Sequence, residues 1–140
     1  MLDIAEVSRR SGLPASTLRY YEEQGLIASA GRRGLRRIFE PEILTRLSLV
    51  VLGQAAGFSL GQIGQMLGAS GAPQIDRAQL ARQADDLDRR IREMTALRNG
   101  LRHAATCTAP SHLECPTFQR IMRIGTARRA HGAQKKLRAT

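Results

Sequence analysis

The chain has 140 residues, a formal net charge of +10, 42% hydrophobic residues, two cysteines and no tryptophan. This length suits one domain, or one small domain with a long helical extension, and the charge favours a polyanionic partner. The sequence contains neither an apolar run of about 20 residues nor a signal-peptide pattern. We therefore expect a cytoplasmic protein with reduced thiols and no membrane partner.

The positive charge is uneven along the chain. Residues 1–70 carry 8 basic and 6 acidic residues, and residues 71–106 carry 7 and 5, so each segment has a net charge of only +2. Residues 107–140 carry 7 basic residues and 1 acidic residue. Bulk charge therefore does not locate a nucleic-acid site, and the positions of individual arginines must carry that argument.

Residues 4–26 predict two short helices joined by a tight turn. The first spans residues 4–11 and ends before Gly12, because glycine is favoured just past a helix end. Pro14 suits the start of the second helix, and Gly25 ends it. This order is the helix-turn-helix arrangement, whose second helix lies in the DNA major groove.

Two short apolar stretches on either side of a glycine-rich basic turn predict a β-hairpin over residues 26–39. Four arginines near its tip are placed to contact phosphate: Arg32, Arg33, Arg36 and Arg37. Phosphate contacts add affinity and salt dependence but carry no base information. The alternative interpretation is a solvated basic turn.

Two further helices complete the predicted head. An apolar helical face follows Pro41, and Ser59 is a good N-cap for the next helix, which continues to Leu67. The glycine-rich residues 68–73 predict a flexible boundary. We therefore predict a DNA-binding domain over residues 1–70.

Residues 74–106 form one long helical pattern without proline. Its apolar residues follow a spacing close to a heptad repeat: Leu80, Ala84, Leu87, Ile91, Met94 and Leu101. About 30 residues at 1.5 Å each give a rod of about 45 Å, too long to bury this stripe against a small head. The pattern predicts a coiled-coil dimerisation helix, although packing against its own chain is the alternative. Gly100 should weaken the helix by about 1 kcal/mol relative to alanine.

Two cysteines follow this helix, and residues 107–124 are the predicted effector region. Cys107 and Cys115 enclose seven residues that include a proline, which predicts a loop. Soft thiolates select copper(I), zinc or related ions, and His112 and His103 are further candidate ligands. A reversible disulfide suits the same two thiols. A loop that binds nothing is the third interpretation.

The C-terminal segment is polar and basic. A short helix is predicted over residues 117–122, and residues 125–140 contain few large apolar side chains. Such a composition predicts a disordered tail that either attracts DNA weakly or only increases solubility.

The predicted helix-turn-helix resembles the opening signature of the MerR family of bacterial transcriptional regulators. The matching residues are Ser11, Gly12, Thr17, Leu18, Arg19, Tyr20, Tyr21, Glu22, Gly25 and Leu26. A second match is the string Gly57-Phe58-Ser59-Leu60 followed by Ile63. The hairpin departs from the family pattern, because Leu35 stands where a tyrosine is usual.

This resemblance implies a mainly α-helical protein with a winged helix-turn-helix head and an antiparallel coiled coil in a homodimer. It implies double-stranded promoter DNA as the partner, with a two-fold-related operator. Activation would come from deforming a promoter with an overlong spacer, so that RNA polymerase is affected indirectly through the promoter. The implied base or phosphate contacts come from Ser16, Thr17, Arg19 and Tyr20, and the wing arginines hold the backbone.

The spacing of Cys107 and Cys115 is similar to the metal loop of copper-responsive members of the family. Metal-responsive members also place a cysteine or serine at the start of the dimer helix, but residues 72–76 contain neither, and Asp76 is the only candidate ligand there. Two thiols alone suit linear copper(I) or silver(I). A thiol-redox response or a small-molecule effector stays open, although redox members carry four clustered cysteines.

Two other classes of protein are alternatives to a regulator. An enzyme is disfavoured, because the sequence contains no phosphate-binding glycine loop, no nucleophile elbow and no suitable pair of acids. A coiled-coil adaptor that binds RNA or an acidic protein would show no preference for a two-fold-related duplex.

Overall fold

The structure is a computed structural model that describes residues 1–68 and 73–139, with the backbone alone at residues 131 and 133–139. The chain divides into two compact units, residues 1–80 and 81–140. Its elements are β1 (Leu2–Asp3), α1 (Ile4–Ser11), α2 (Ala15–Glu23), β2 (Gly31–Arg33), β3 (Arg36–Phe39), α3 (Ile43–Ala55), α4 (Leu60–Leu67), α5 (Arg77–Thr106), a 3-10 helix (His112–Glu114) and α6 (Pro116–Ala139). The predicted mainly α-helical class is confirmed. In the part of the chain that the structure describes, no helix is both long and apolar enough to cross a membrane.

The predicted helix-turn-helix is confirmed as α1 and α2. Gly12 adopts a φ of 75° and ends α1, and Gly25 adopts a φ of 76° just after α2. Both conformations favour glycine because it has no Cβ. Helix α2 buries Leu18 and Tyr21, and the Tyr21 hydroxyl donates a hydrogen bond to Oε1 of Gln54 at 2.8 Å. One face of α2 is thereby fixed to the core, and the opposite face is left outward.

The wing is a three-stranded antiparallel sheet in the order β1-β3-β2. The predicted hairpin is confirmed, but β2 begins only at Gly31, because the preceding apolar residues Leu26 and Ile27 are buried in the core. Gly34 and Leu35 form the turn, Arg33 and Arg36 flank it directly, and Arg32 and Arg37 are the next pair along the two strands.

The core of the head joins α1 and α2 to α3 and α4. Its buried side chains are Val7, Leu18, Tyr21, Leu26, Ile27, Phe39, Ile43, Leu47, Val50, Phe58, Ile63 and Leu67. The predicted cap at Ser59 is confirmed, since its Oγ accepts from the Gln62 N–H and Gln62 Oε1 accepts from the Ser59 N–H. Gly53 lets α4 approach α3, because a Cβ there would lie 2.8 Å from Cγ1 of Ile63.

Arg46 on α3 donates hydrogen bonds to three backbone carbonyls at two places in the head, which the sequence did not predict. Its Nε donates to the carbonyl of Leu26 at 2.5 Å, and its Nη2 donates to the carbonyl of Gly68 at 2.6 Å. A third, longer bond of 3.5 Å joins Nη1 to the carbonyl of Leu67. A guanidinium with several donors in one plane suits this role. It links the exit of the helix-turn-helix to the end of α4.

The predicted boundary at 68–73 falls mostly on residues 69–72, which lie outside the described residues. The chain resumes at Pro73, and Asp76 stands just before α5, where its Oδ1 accepts a hydrogen bond from the N–H of Ala78 at 2.9 Å. Asp76 therefore has a local role at the start of the long helix.

The second unit consists of the rest of α5, the cysteine loop and α6. The prediction of a short helix over 117–122 and a disordered tail over 125–140 is wrong for the described residues, because α6 continues to Ala139. This segment lacks proline and is rich in alanine, arginine, lysine and glutamine, which favour helix. Low hydrophobicity alone suggested disorder and outweighed that signal.

Gly100 is the point where α6 packs against α5. It is buried, and a Cβ added to it would clash with the side chain of Ile121, which is itself 7% exposed. Besides weakening α5, the glycine thus makes room for the neighbouring helix. Ile91 belongs to the heptad stripe. At about 100° per residue, Gly100 lies about half a turn around the helix from Ile91.

We expect Gly100→Ala to lower the free energy of unfolding by about 1–2 kcal/mol, because the overpacking cost against Ile121 exceeds the gain in helix propensity. Gly125→Ala in α6 is the matched control, since nothing lies within 4 Å of a Cβ added there. The control should gain up to about 1 kcal/mol. Urea denaturation followed by circular dichroism measures both, and equal stabilisation by the two variants would contradict the packing.

Candidate DNA-binding surface and cysteine cluster

The outward face of α2 carries the predicted contact residues. Ser16, Arg19 and Tyr20 are exposed, and Tyr20 retains 48% of its surface. Residues three and four apart lie on the same side of a helix, so these three side chains form one continuous face. Thr17 is half-buried and lies at the edge of that face. A face of hydroxyl, guanidinium and phenol groups supplies hydrogen-bond donors and acceptors for base edges and phosphates.

The wing arginines do not act as one group. Arg32 and Arg33 are exposed, whereas Arg36 forms an ion pair with Asp3, with Nη1 3.3 Å from Oδ2. Arg37 is half-buried, and its Nε lies 3.0 Å from Oε2 of Glu22. Within the part of the chain that the structure describes, Arg32 and Arg33 have no ion pair and can contact a phosphate backbone. Arg37 is held by its ion pair with Glu22.

Glu22 therefore connects the wing to the recognition helix. It pairs with Arg37 of β3, and its Oε1 accepts a 3.5 Å hydrogen bond from the hydroxyl of Ser29. No pattern in the sequence predicted this pairing, because its partners are 15 residues apart and on different elements. The consequence is that Arg37 positions the wing relative to α2.

The cysteine loop brings three soft or borderline ligands together at the junction of α5 and α6. Cys107 Sγ lies 3.6 Å from Cys115 Sγ, and Cys115 Sγ lies 3.3 Å from Nε2 of His103. The three ligand atoms all lie within 4.8 Å of one another. Among the described residues this is the cluster with the composition of a metal site.

His112, the predicted ligand within the loop, is not part of this cluster. Its Nε2 lies 2.9 Å from the carbonyl oxygen of Ala104, and its ring lies 5.5 Å from the ring of Phe118. It connects the loop to the end of α5 and the start of α6. The other histidine named from the sequence, His103, is the one beside the thiols, because it lies one turn before Cys107 on α5.

The start of α6 activates one of the thiols. The backbone N–H of Phe118 lowers the pKa of the Cys115 thiol to about 7, with smaller contributions from Cys107 and His103, although burial acts in the opposite direction. Thiols at helix N-termini are commonly more acidic for this reason. Because its pKa is about 7, a substantial fraction of Cys115 is thiolate at neutral pH, although its side chain is only 3% exposed.

Paired thiols next to an imidazole can do two things. They can coordinate a thiophilic ion, since the thiolate is the ligand form and the lowered pKa of Cys115 makes its proton easy to lose. They can also join to form a disulfide, for which the two sulfurs must move closer together. Both reactions would alter the same joint between α5 and α6.

Comparisons with known proteins agree with this arrangement. A family model described as "MerR HTH family regulatory protein" matches residues 2–70, and one described as "MerR, DNA binding" matches residues 44–104. The HTH-type transcriptional regulator HmrR of Rhizobium leguminosarum bv. viciae is 33% identical over 128 residues, which cover 86% of this chain and 97% of HmrR. The HTH-type transcriptional regulator CueR of Escherichia coli O157:H7 is 26% identical over 126 residues, covering 86% and 93% of the two chains.

A solved structure shares the fold. The transcription regulator PbrR691 of Ralstonia metallidurans, crystallised in complex with lead(II), superimposes with a TM-score of 0.56 at 23% identity. The match covers 86% of this chain and 99% of that one. These relatives are regulators and not enzymes, in agreement with the prediction from the sequence. The chain is a MerR-type transcriptional regulator: it belongs to the MerR family of helix-turn-helix regulatory proteins.

Proposed function

We propose that this regulator binds a two-fold-related promoter operator as a homodimer and that a thiophilic metal ion at Cys107 and Cys115 controls its effect on transcription. The observation that carries the proposal is the cluster itself: two thiols 3.6 Å apart with an imidazole beside them, in a chain that also presents an outward recognition helix. Copper(I) and zinc are the candidate ions, because soft and borderline ions prefer thiolate ligands.

The long helix supports the homodimer. Ile91, Met94 and Leu101 of its heptad stripe are 61%, 50% and 61% exposed. Gly100, on the opposite side of α5, packs against α6, and Met94 of the stripe also contacts α6, because Nη1 of Arg128 lies 2.6 Å from its Sδ. A row of large apolar residues at heptad spacing that remain half exposed or more among the described residues is typical of a coiled-coil seam. A second copy of the same helix is the occupant that the spacing suits.

The metal acts on DNA through the end of the dimer helix. An ion that draws Cys107 and Cys115 together fixes the angle at which α6 leaves α5. The joint between α5 and α6 is loose without the ion and fixed with it. An element with two such arrangements converts ligand binding into a conformational change. In the fixed arrangement the dimer deforms an overlong promoter spacer, and RNA polymerase responds to the deformed DNA without direct contact. Deformation also makes bases that are never touched contribute to specificity.

The test is transcription in vitro from a promoter that contains duplex DNA selected by the protein from a random library. We expect added zinc or copper(I) to change transcript yield with the wild-type chain and to have no effect with Cys107→Ser. The same response in both would show that the effector acts elsewhere. The protein could bind the selected DNA tightly while no metal changes the transcript yield. That result would overturn metal control and leave only the proposal that the homodimer binds the operator.

A thiol-redox response is the second candidate, favoured by the acidic Cys115 thiol. Its thiolate would attack a hydroperoxide to give a sulfenic acid, and the Cys107 thiol would then displace water to form the disulfide. The two thiols lose two electrons, and the hydroperoxide gains them. Transcript yield that changes with hydrogen peroxide, returns with a dithiol reductant and ignores metal would favour this candidate over the metal.

A further inference from the structure

The cluster holds a third ligand that changes which ion it suits. We infer that His103 Nε2 and the thiolates of Cys107 and Cys115 form a three-ligand site for a divalent ion of the zinc type, with the fourth position open to water. The inference rests on the proposed function, since it names the ligand set and the class of ion for the same site.

The spacing of the sulfurs favours a tetrahedral over a linear ion. With metal–sulfur bonds of about 2.3 Å, two ligands of a tetrahedral ion lie about 3.8 Å apart, and two ligands of a linear ion with equal bonds lie about 4.6 Å apart. The observed distance between Cys107 Sγ and Cys115 Sγ is 3.6 Å. A linear ion would therefore require the loop to open by about 1 Å.

The imidazole is positioned for the same geometry. A tetrahedral zinc ion with one nitrogen and one sulfur ligand places these atoms about 3.6 Å apart. His103 Nε2 and Cys115 Sγ are 3.3 Å apart, and the nitrogen is within 4.8 Å of Cys107 Sγ. His103 is exposed on the last turn of α5, so its ring can turn toward the thiols without disturbing the core.

The charge balance points to the same class of ion. Two thiolates neutralise a divalent ion, and a neutral imidazole adds no charge. A monovalent ion with the same thiolates leaves one negative charge beside Cys115, which is 3% exposed. An uncompensated charge in a buried position is costly. Imidazole is also a good ligand for zinc, whereas a linear copper(I) ion needs only the two thiolates.

Competition for metal between the full-length reduced protein and a chromophoric chelator tests the inference, with zinc and copper(I) measured separately. His103→Ala should lower zinc affinity by at least about 100-fold and copper(I) affinity by less than about 3-fold, because only the tetrahedral site uses the imidazole. His112→Ala is the matched control, and it should lower zinc affinity by less than about 10-fold. Cobalt(II) serves as a visible probe: His103→Ala should lose the intense absorption of a tetrahedral site and keep thiolate-to-cobalt charge transfer.

Three outcomes would overturn the inference. Zinc affinity unchanged by His103→Ala but lost in Cys107→Ser would return the site to two thiolates and leave the proposed function standing. Copper(I) binding without zinc binding in the wild-type chain would do the same. Failure of the wild-type chain to bind any of these ions would overturn both the inference and the metal-dependent part of the proposed function.

Discussion

Replacing Arg19 by alanine should raise the Kd for selected duplex DNA by at least about 30-fold. Arg19 is exposed in the middle of the outward face of α2, between Ser16 and Tyr20. A single arginine contact to a base edge is worth about 1–3 kcal/mol, and a two-fold dimer loses it twice. A gel-shift titration at fixed salt with duplex selected by the wild-type protein measures the change.

Two arginines elsewhere serve as controls for Arg19→Ala. Arg32→Ala on the wing should weaken selected and random duplexes by the same factor and flatten the dependence of affinity on salt, because phosphate contacts carry no base information. Arg102→Ala removes the same charge from an exposed position on α5 and should have little effect. Wild-type affinity in Arg19→Ala would mean that α2 is not the recognition helix.

Replacing Cys115 by serine should lower the affinity for a thiophilic ion by at least about 1,000-fold, more than the 10–100-fold that follows loss of a group which only supports a ligand. Cys115 contributes the thiol whose pKa is lowered to about 7, and its Sγ lies 3.6 Å from Sγ of Cys107 and 3.3 Å from Nε2 of His103. Serine keeps the size of the side chain but is a far weaker ligand at neutral pH. Competition against a chelator gives the affinity.

Affinity for DNA distinguishes this loss from a folding defect. Cys115→Ser should bind selected duplex as the metal-free wild-type chain does, because the recognition helix belongs to the other compact unit. Thr108→Ala, an exposed substitution between the cysteines, should retain full metal affinity. If Cys115→Ser bound metal normally, the cluster would not be the effector site.

Local signals explain what the sequence predicted of the fold. Gly12 and Gly25 mark helix ends through positive φ, Ser59 caps α4 with a neighbour three residues away, and the heptad spacing of α5 is visible within the helix. Strand β1 escaped prediction, because two residues are too few for an alternating pattern and its partner, Phe39, lies far along the chain.

The sequence predicted the types of residue at the site but not which of those residues contact one another. The spacing of Cys107 and Cys115 indicated paired thiols, but the predicted ligand was His112, inside the loop, and the path of the loop places His103 beside the thiols instead. Likewise, four wing arginines looked equivalent, and Arg37 proved to be paired with Glu22. Such choices depend on contacts between elements, which have no period in the sequence.

The central claim is that two outward-facing recognition helices, joined by paired α5 helices, bind one duplex. Hydroxyl-radical footprinting on DNA selected by the wild-type protein tests it most directly. The account predicts two protected half-sites related by a two-fold axis, one helical turn or a multiple of it apart, and two chains per duplex by sedimentation. A single protected half-site bound by one chain, or equal protection of unrelated DNA, would contradict it.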